Sequence, residues 1–286
     1  MPRRVIDAHI HIWTYDSPWM TWLKDRPPHW DIVRRDFTWS DLRSELEKAG
    51  VAEVILMQAC TTPEETRMLL GVAHRESSVR GVVGWTTLKA PEATAQDLAS
   101  FVLPGIEKLV GIRNSHGWAP DGDIIASQAA LESCRLLAER RLTLDLHFPD
   151  YTTLHLAAKL AEAIPQGRYV INHLGKPTLD APEAFAPWAE AMSVLSGFPN
   201  VYVKYSGWAT FVRRTQAADV QRYIDFALHK FGPRRIMFAC NWPVALVAGS
   251  YQDTFLATLQ AISHLSASDL DSIFYGTATH CYLEPW

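Results

Sequence analysis

The sequence lacks the features that mark nucleic-acid-binding and membrane proteins. It has no block of Lys or Arg residues, and its 27 basic and 31 acidic residues give a net charge of −4. No nucleic-acid partner is therefore expected. No apolar run is long enough to cross a membrane, and residues 1–4, which include Arg3 and Arg4, lead directly into a β-type segment instead of a signal-peptide core. We expect a cytoplasmic protein that binds a small molecule.

Cysteine is also scarce. The four cysteines lie far apart and form no Cys-x-x-Cys pair, which excludes a zinc ribbon or a disulfide framework and suits a reducing compartment. No internal repeat, low-complexity segment or interdomain linker interrupts the chain. Its length fits one barrel-sized domain, so we predict a single domain over residues 1–286.

Eight β-branched segments alternate with eight amphipathic ones. The predicted strands are Val5–His11, Glu53–Gln58, Val79–Thr86, Leu109–Arg113, Leu142–His147, Tyr169–His173, Val201–Ser206 and Ile236–Cys240. The predicted helices are Ser40–Ala49, Pro63–His74, Pro91–Val102, Gln128–Arg140, Thr152–Ile164, Glu183–Leu195, Ala217–Phe231 and Tyr251–His264. Eight β-then-α units predict an α/β fold, the (β/α)8 TIM barrel, with a doubly wound open sheet as the alternative.

One long irregular segment, residues 15–38, is rich in Trp, Pro and charge, and we predict that it covers the barrel mouth as a lid. Tryptophans also follow predicted strands. We predict that these tryptophans bind the substrate as an aromatic wall, and their number favours a ring-shaped ligand. They are Trp13, Trp118, Trp208 and Trp242. For any one tryptophan alone, ordinary core packing is the simpler interpretation.

His9 and His11 are the most informative residues. Residues two apart on a strand share one face, so both imidazoles point to the same side. Two ordinary polar histidines on a half-buried strand would show the same spacing. His147 and His173 end predicted strands five and six, however, and active sites of such barrels lie where the strands end.

Seven short motifs, in order along nearly the whole chain, resemble the amidohydrolase-superfamily branch of sugar-acid lactonases. That branch includes rhamnonolactone and fuconolactone hydrolases and is related to pyrone dicarboxylate lactonases. The motifs are IDAHIHIW at 6–13, DIVRRDF at 31–37, VVGW at 82–85, LVGIR at 109–113, VINHLGKP at 170–177, VKYSG at 203–207 and MFACNWPV at 237–244. The resemblance implies a (β/α)8 barrel that hydrolyses a cyclic ester.

In this framework we expect His9, His11 and His147 to hold one divalent ion, Zn²⁺ or Mn²⁺, which would activate the attacking water. His173 would polarise the lactone carbonyl or add a ligand. Some lactonases similar to this branch act without metal, so metal-independent hydrolysis is the alternative.

Two cations complete the predicted site. Arg113 suits a substrate carboxylate, and Lys204 is expected to bind substrate and to stabilise a developing oxyanion as a catalytic residue. The alternative is structural: both cations could pair with internal acids such as Asp7 or Asp145.

Asn241 departs from the family pattern, in which an aspartate precedes Trp-Pro. An amide cannot take the proton of the attacking water, which leaves His173 as the fallback base. Three explanations are compatible with it: an engineered inactivating Asp→Asn change, which the near-isosteric replacement favours, another base, or a protein without hydrolytic activity. The alternative functions are therefore a catalytically silent ligand-binding barrel and a decarboxylase of aromatic or unsaturated acids. The oligomeric state stays open, a homo-oligomer included.

Overall fold

The computed structural model describes residues 2–115 and 127–285. Eight parallel strands pair in chain order, each with the next. They are β1 Ile6–Ile10, β2 Glu53–Met57, β3 Val79–Gly84, β4 Leu109–Ser115, β5 Thr143–His147, β6 Tyr169–Ile171, β7 Val201–Tyr205 and β8 Ile236–Phe238. Just past β8, Asn241 N donates to His9 O at 2.9 Å and His11 N donates to Trp242 O at 2.8 Å, which closes the barrel. The predicted TIM barrel is confirmed.

Helices follow each strand and pack around the barrel. They are α1 Trp39–Ala49, α2 Pro63–Arg75, α3 Pro91–Ser100, α4 Gln128–Glu139, α5 His155–Ala163, α6 Phe185–Ser196, α7 Trp208–Val212, α8 Ala217–Phe231, α9 Tyr251–Ala261 and α10 Ala267–Asp271. Capping boxes start two of them, with Thr38 and Asp41 at α1 and Ser250 and Asp253 at α9. In the described part of the chain, none of the helices has the length and apolar character needed to span a membrane.

The end of the chain, which the sequence patterns did not predict as helical, covers the amino-terminal end of the barrel. After α10 it continues as π-helical turns at Ser272–Gly276 and Thr279–Leu283. Ala278, Cys281 and Tyr282 pack against inward-facing strand residues. Arg168, directly before β6, donates to the His280 and Cys281 carbonyls and ties this segment down. The opposite end, where the strands finish, therefore remains available for a site.

A β-bulge in β1 sets the direction of the first histidine. The pairing with β2 shifts between Asp7 and Ile10, so that one extra residue lies on β1. The Asp7 carboxylate holds the bulge by accepting from His9 N at 3.1 Å and Cys240 N at 3.0 Å, and from the Tyr251 hydroxyl at 2.9 Å. Asp7 is thus a structural residue of the barrel wall, bonded to α9.

The segment 15–38 is anchored at both ends. Trp13 and Phe37 form an antiparallel bridge at its base, with N–O distances of 2.9 and 3.0 Å. The segment contains a 3-10 helix at Pro28–Val33. Arg34 donates to the Leu23 and Arg26 carbonyls inside the segment, which therefore has an internal framework of its own.

Candidate active site

A cavity of about 1150 Å³ lies at the carboxyl end of the strands. Five residues predicted from the sequence line it together: His11, Arg113, His147, His173 and Asn241. They come from the ends of β1, β4, β5, β6 and β8. We call these five the floor residues. Because the strands are parallel and close into a barrel, side chains distant in sequence meet at this one end.

The four strand-end histidines form a continuous cluster. Ring centroids lie 4.8 Å apart for His9 and His11, 4.7 Å for His9 and His173, and 5.4 Å for His147 and His173. Burial, the largest effect, lowers the pKa of each ring, for His11 to about 3. Nearby cations act in the same direction. The imidazoles are therefore neutral at physiological pH.

The tautomer of His11 follows from its partner. Its Nδ1 lies 2.9 Å from the Met57 carbonyl oxygen, which can only accept, so Nδ1 carries the proton. The Nε2 atom of His11 is then unprotonated and lies 3.1 Å from His9 Nε2. A backbone carbonyl that orients the far nitrogen is a common support for a metal-binding histidine.

The spacing of His9 and His11 fits the geometry of a bound metal ion. Nitrogens bound at about 2.0–2.1 Å to one tetrahedral Zn²⁺ lie about 3.3 Å apart, close to the His9–His11 spacing. Among the residues that the structure describes, however, no group of three or more His, Cys, Asp or Glu side chains is arranged to hold a metal. His147 packs against His173 instead. The predicted centre of His9, His11 and His147 stays a prediction, and its best-supported part in the structure is the His9–His11 pair.

His173 is held by an unusual backbone and by two neighbours after β7. Its φ of +57° begins a left-handed turn that ends β6 two residues earlier than predicted. The Ser206 hydroxyl lies 2.8 Å from His173 Nδ1. A Cβ on Gly207 would lie 2.6 Å from the His173 ring, so only glycine leaves the ring its place. The VKYSG motif therefore positions an imidazole of the site.

Arg113 is a fixed cation of the floor. Its Nε donates to Asn172 Oδ1 at 3.1 Å and its Nη1 donates to the Gln58 carbonyl at 3.0 Å. Burial lowers its pKa to about 10, against the opposing attraction of Asp145 and Glu65, so the guanidinium stays charged. A buried cation beside neutral imidazoles favours an anion or a developing oxyanion at this position.

Lys204 lies below the floor and does not line the cavity. It is fully buried, and its Nζ lies 2.6 Å from Asp145 Oδ1. The same carboxylate accepts from Asn172 Nδ2 at 2.9 Å and from the Tyr282 hydroxyl at 2.7 Å. This is the structural pairing with Asp145 that the sequence left as an alternative.

The tryptophans divide into two groups. Trp13, Trp208 and Trp242 are at most 3% exposed and lie in the packed core behind the cavity, while Trp118 lies outside the described residues. The cavity is lined instead by three tryptophans of the segment 15–38, with a fourth after β3: Trp19, Trp22, Trp30 and Trp85. The Arg26 guanidinium lies 5.5 and 5.1 Å from the ring centroids of Trp22 and Trp30. The cavity therefore has aromatic walls above a polar floor.

The amidohydrolase family profile matches residues 6–282. The chain belongs to this family. It is 36% identical over 285 residues to an L-fucono-1,5-lactonase of Burkholderia ambifaria, which covers 97% of this chain and 94% of the relative. It is 30% identical to an L-fucono-1,5-lactonase of Burkholderia multivorans, with 98% of this chain and 96% of the relative covered.

A solved amidohydrolase structure from Burkholderia multivorans, described with bound zinc, has a TM-score of 0.88 and 28% identity to the chain. The match covers 99% of this chain and all of that one. The resemblance to the amidohydrolase lactonase branch, read from seven motifs, is confirmed by these comparisons.

Sequence reasoning missed some lining residues of this amidohydrolase. Lys176 lines the cavity from the left-handed turn that starts at His173, and Trp85 and Asp150 line it after β3 and β5. Two of these three residues lie in motifs quoted above, Lys176 in VINHLGKP and Trp85 in VVGW. The motifs alone do not show which of their residues face the cavity.

Proposed function

We propose that the protein hydrolyses the ester of a sugar-acid lactone. The observation that carries this proposal is the floor, where neutral imidazoles surround the buried Arg113 guanidinium at the bottom of an aromatic-walled cavity. The two curated relatives support it, since both bear the name L-fucono-1,5-lactonase. We propose a lactone of that kind as the substrate.

Arg113 and His173 would bind the lactone carbonyl. Attack of water turns the carbonyl oxygen into an oxyanion, and a fixed guanidinium stabilises that charge more in the transition state than in the bound ester. Ser206 holds His173 Nδ1, which leaves the orientation of its ring defined toward the cavity. The same Arg113 charge would hold the carboxylate of the opened product.

Asn241 would position the attacking water without deprotonating it. The residue lines the cavity beside His11, and its side chain slightly opposes the lowering of the His11 pKa by burial. An amide can donate and accept hydrogen bonds but takes up no proton at neutral pH. His173, the fallback base inferred from the sequence, has a pKa well below its usual value because of burial, which makes it a weak base.

We further propose that His9 and His11 are the residues that bind a divalent cation. The spacing of their Nε2 atoms and the Met57 contact support this, as does the zinc of the Burkholderia multivorans structure. When bound, such an ion would polarise the ester or the attacking water. Metal analysis of purified protein against His9→Ala/His11→Ala tests this assignment; equal metal content in both would contradict it.

The segment 15–38 would serve as the lid that the sequence predicts. Trp19, Trp22 and Trp30 offer flat apolar faces to the cavity, and a sugar ring has apolar C–H faces that pack on such surfaces. Thr87, which also lines the cavity, would hydrogen-bond ring hydroxyls. Trp22→Ala should raise KM more than it lowers kcat.

The test is a panel of sugar lactones, L-fucono-1,5-lactone included, with acid release followed by a pH indicator. Wild type should open at least one lactone, and Arg113→Met should lower kcat/KM by about 10²–10³-fold. Arg140→Met, an exposed arginine just past α4, serves as the matched control. Release of CO2 without acid formation would instead indicate a decarboxylase.

Asn241 is the observation that favours the second candidate, a silent ligand-binding barrel. Calorimetry with the same lactones separates the two. Tight binding without turnover by wild type, together with turnover by Asn241→Asp, would show a hydrolase disabled at this position. Binding without turnover by both proteins would support the silent barrel and contradict lactone hydrolysis.

A further inference from the structure

We propose that Lys176 is the acid–base residue of this site, exchanging the proton between the attacking water and the ring oxygen of the lactone. This inference rests on the proposed lactone hydrolysis. The five floor residues include no carboxylate that could act as the base, because Asn241 lies where the family pattern has an aspartate. No role for Lys176 follows from the sequence motifs alone.

The backbone brings Lys176 to the same cavity as His173. Residues 173–176 all have positive φ, between +53° and +69°, and the Lys176 N–H closes the turn on the His173 carbonyl at 2.8 Å. Left-handed conformations are costly for residues other than glycine. Leu174 and Gly175 in the middle of the turn are buried, whereas the two ends line the cavity. The turn therefore presents one imidazole and one amine together.

Charged groups from several elements surround the Lys176 amine. Burial, and after it the cations Arg113 and Arg26, lower the pKa of Lys176 to about 7, while Asp150 opposes the shift. His147 and His173 face the same space as neutral rings. Both the neutral amine and the ammonium are thus populated near neutral pH, which is the condition for efficient proton exchange.

The other floor groups are less suited to this step. The histidine rings have pKa values well below the usual range because of burial, and Arg113 remains a cation. Of the three cavity acids, Asp25 and Asp180 are exposed at the rim, and Asp150 caps a 3-10 turn by accepting from Thr152 N at 2.8 Å. Among the floor and turn residues that the structure describes, Lys176 combines access to the cavity with a suitable proton affinity.

The proposed step is balanced in atoms and charge. The neutral amine takes one proton from water while the water oxygen forms a bond to the carbonyl carbon. The tetrahedral intermediate then breaks its bond to the ring oxygen, and the ammonium gives its proton to that oxygen. The product is a hydroxy acid, which releases its remaining acidic proton to solvent.

The test compares Lys176→Met and Lys176→Arg with wild type on a lactone that wild type opens. Because the neutral amine is the base, kcat/KM of wild type should rise as pH increases through about 7. Both variants should lose about 10²–10⁴-fold in kcat with little change in KM. Their kcat/KM should also lack this rise with pH, which we call the pH limb. Lys159→Met, an exposed lysine on α5, is the control and should retain both.

A chemical rescue separates a catalytic amine from a structural one. Lys176→Cys, aminoethylated at sulfur, regains an amine that is less basic than that of lysine. We expect turnover to return with the pH limb displaced to lower pH. The native cysteines are all buried, so the introduced thiol is the preferred site of reaction.

The outcomes distinguish this inference from the proposed function. Lactone turnover by wild type together with an unchanged pH limb in Lys176→Met would overturn the role of Lys176 and leave the hydrolase intact. A rise in KM alone would also overturn it, by showing a binding role. Absence of turnover by wild type would contradict the proposed function itself.

Discussion

Replacement of Lys204 by Met should destabilise the barrel and leave the chemistry nearly unchanged. The Lys204 ammonium and the Asp145 carboxylate are both fully buried, 2.6 Å apart. Removing one partner of such a pair leaves the other charge without compensation, at a cost of about 3–5 kcal/mol. In Lys204→Met the carboxylate would keep only its neutral donors Asn172 and Tyr282.

The expected loss converts to a measurable change in melting temperature. An unfolding entropy of about 2.1 cal/mol/K per residue, over 286 residues, gives a fall in Tm of about 5–8 °C. Thermal unfolding followed by circular dichroism measures this shift, with the exposed Lys159→Met as control. A double-mutant cycle with Asp145→Asn should show a coupling free energy of about 1–3 kcal/mol.

Kinetics of Lys204→Met distinguish a structural role of Lys204 from a catalytic one. Assayed well below its Tm, Lys204→Met should keep kcat within about threefold of wild type, since loss of an oxyanion-stabilising group would lower it by about 10²–10³-fold. An unchanged Tm combined with a large loss of kcat would refute the structural interpretation and restore the catalytic role that the sequence predicts.

Three further predictions concern the floor residues and the residues that support them. Ser206→Ala removes the partner of His173 Nδ1 and should lower kcat about tenfold, about 1.4 kcal/mol, whereas Ser206→Thr keeps the hydroxyl and should recover activity. Gly207→Ala places a methyl group against the His173 ring at a residue with positive φ. It should lower the free energy of unfolding, measured with denaturant, by at least about 1–2 kcal/mol and should also lower activity. A variant as stable as wild type would contradict this close packing. Asn241→Asp in the Lys176→Met background supplies a carboxylate base and should restore turnover, with activity extending to lower pH than in wild type; no gain would argue against a proton-transfer defect.

The fold was largely predictable because its signals are local. Alternating strand and helix periodicities indicated eight β/α units, and parallel strands wrapped by helices have few ways to bury both faces. The deviations lie at ends: β6 stops at Ile171 because a left-handed turn follows, and α7 at Trp208–Val212 is too short to show a helical pattern. The π-helical turns after α10, which close the amino-terminal end of the barrel, were not predicted.

The composition of the site was determined by the sequence, since strand-end histidines and Arg113 must meet wherever a parallel barrel closes. Which polar groups face the cavity was decided only by tertiary structure. Lys204 turned inward to a carboxylate two strands away, while Lys176 reached the cavity through a strained turn. Such choices depend on partners distant in the chain and on the free energy of burying charge, and neither quantity is encoded in a local pattern.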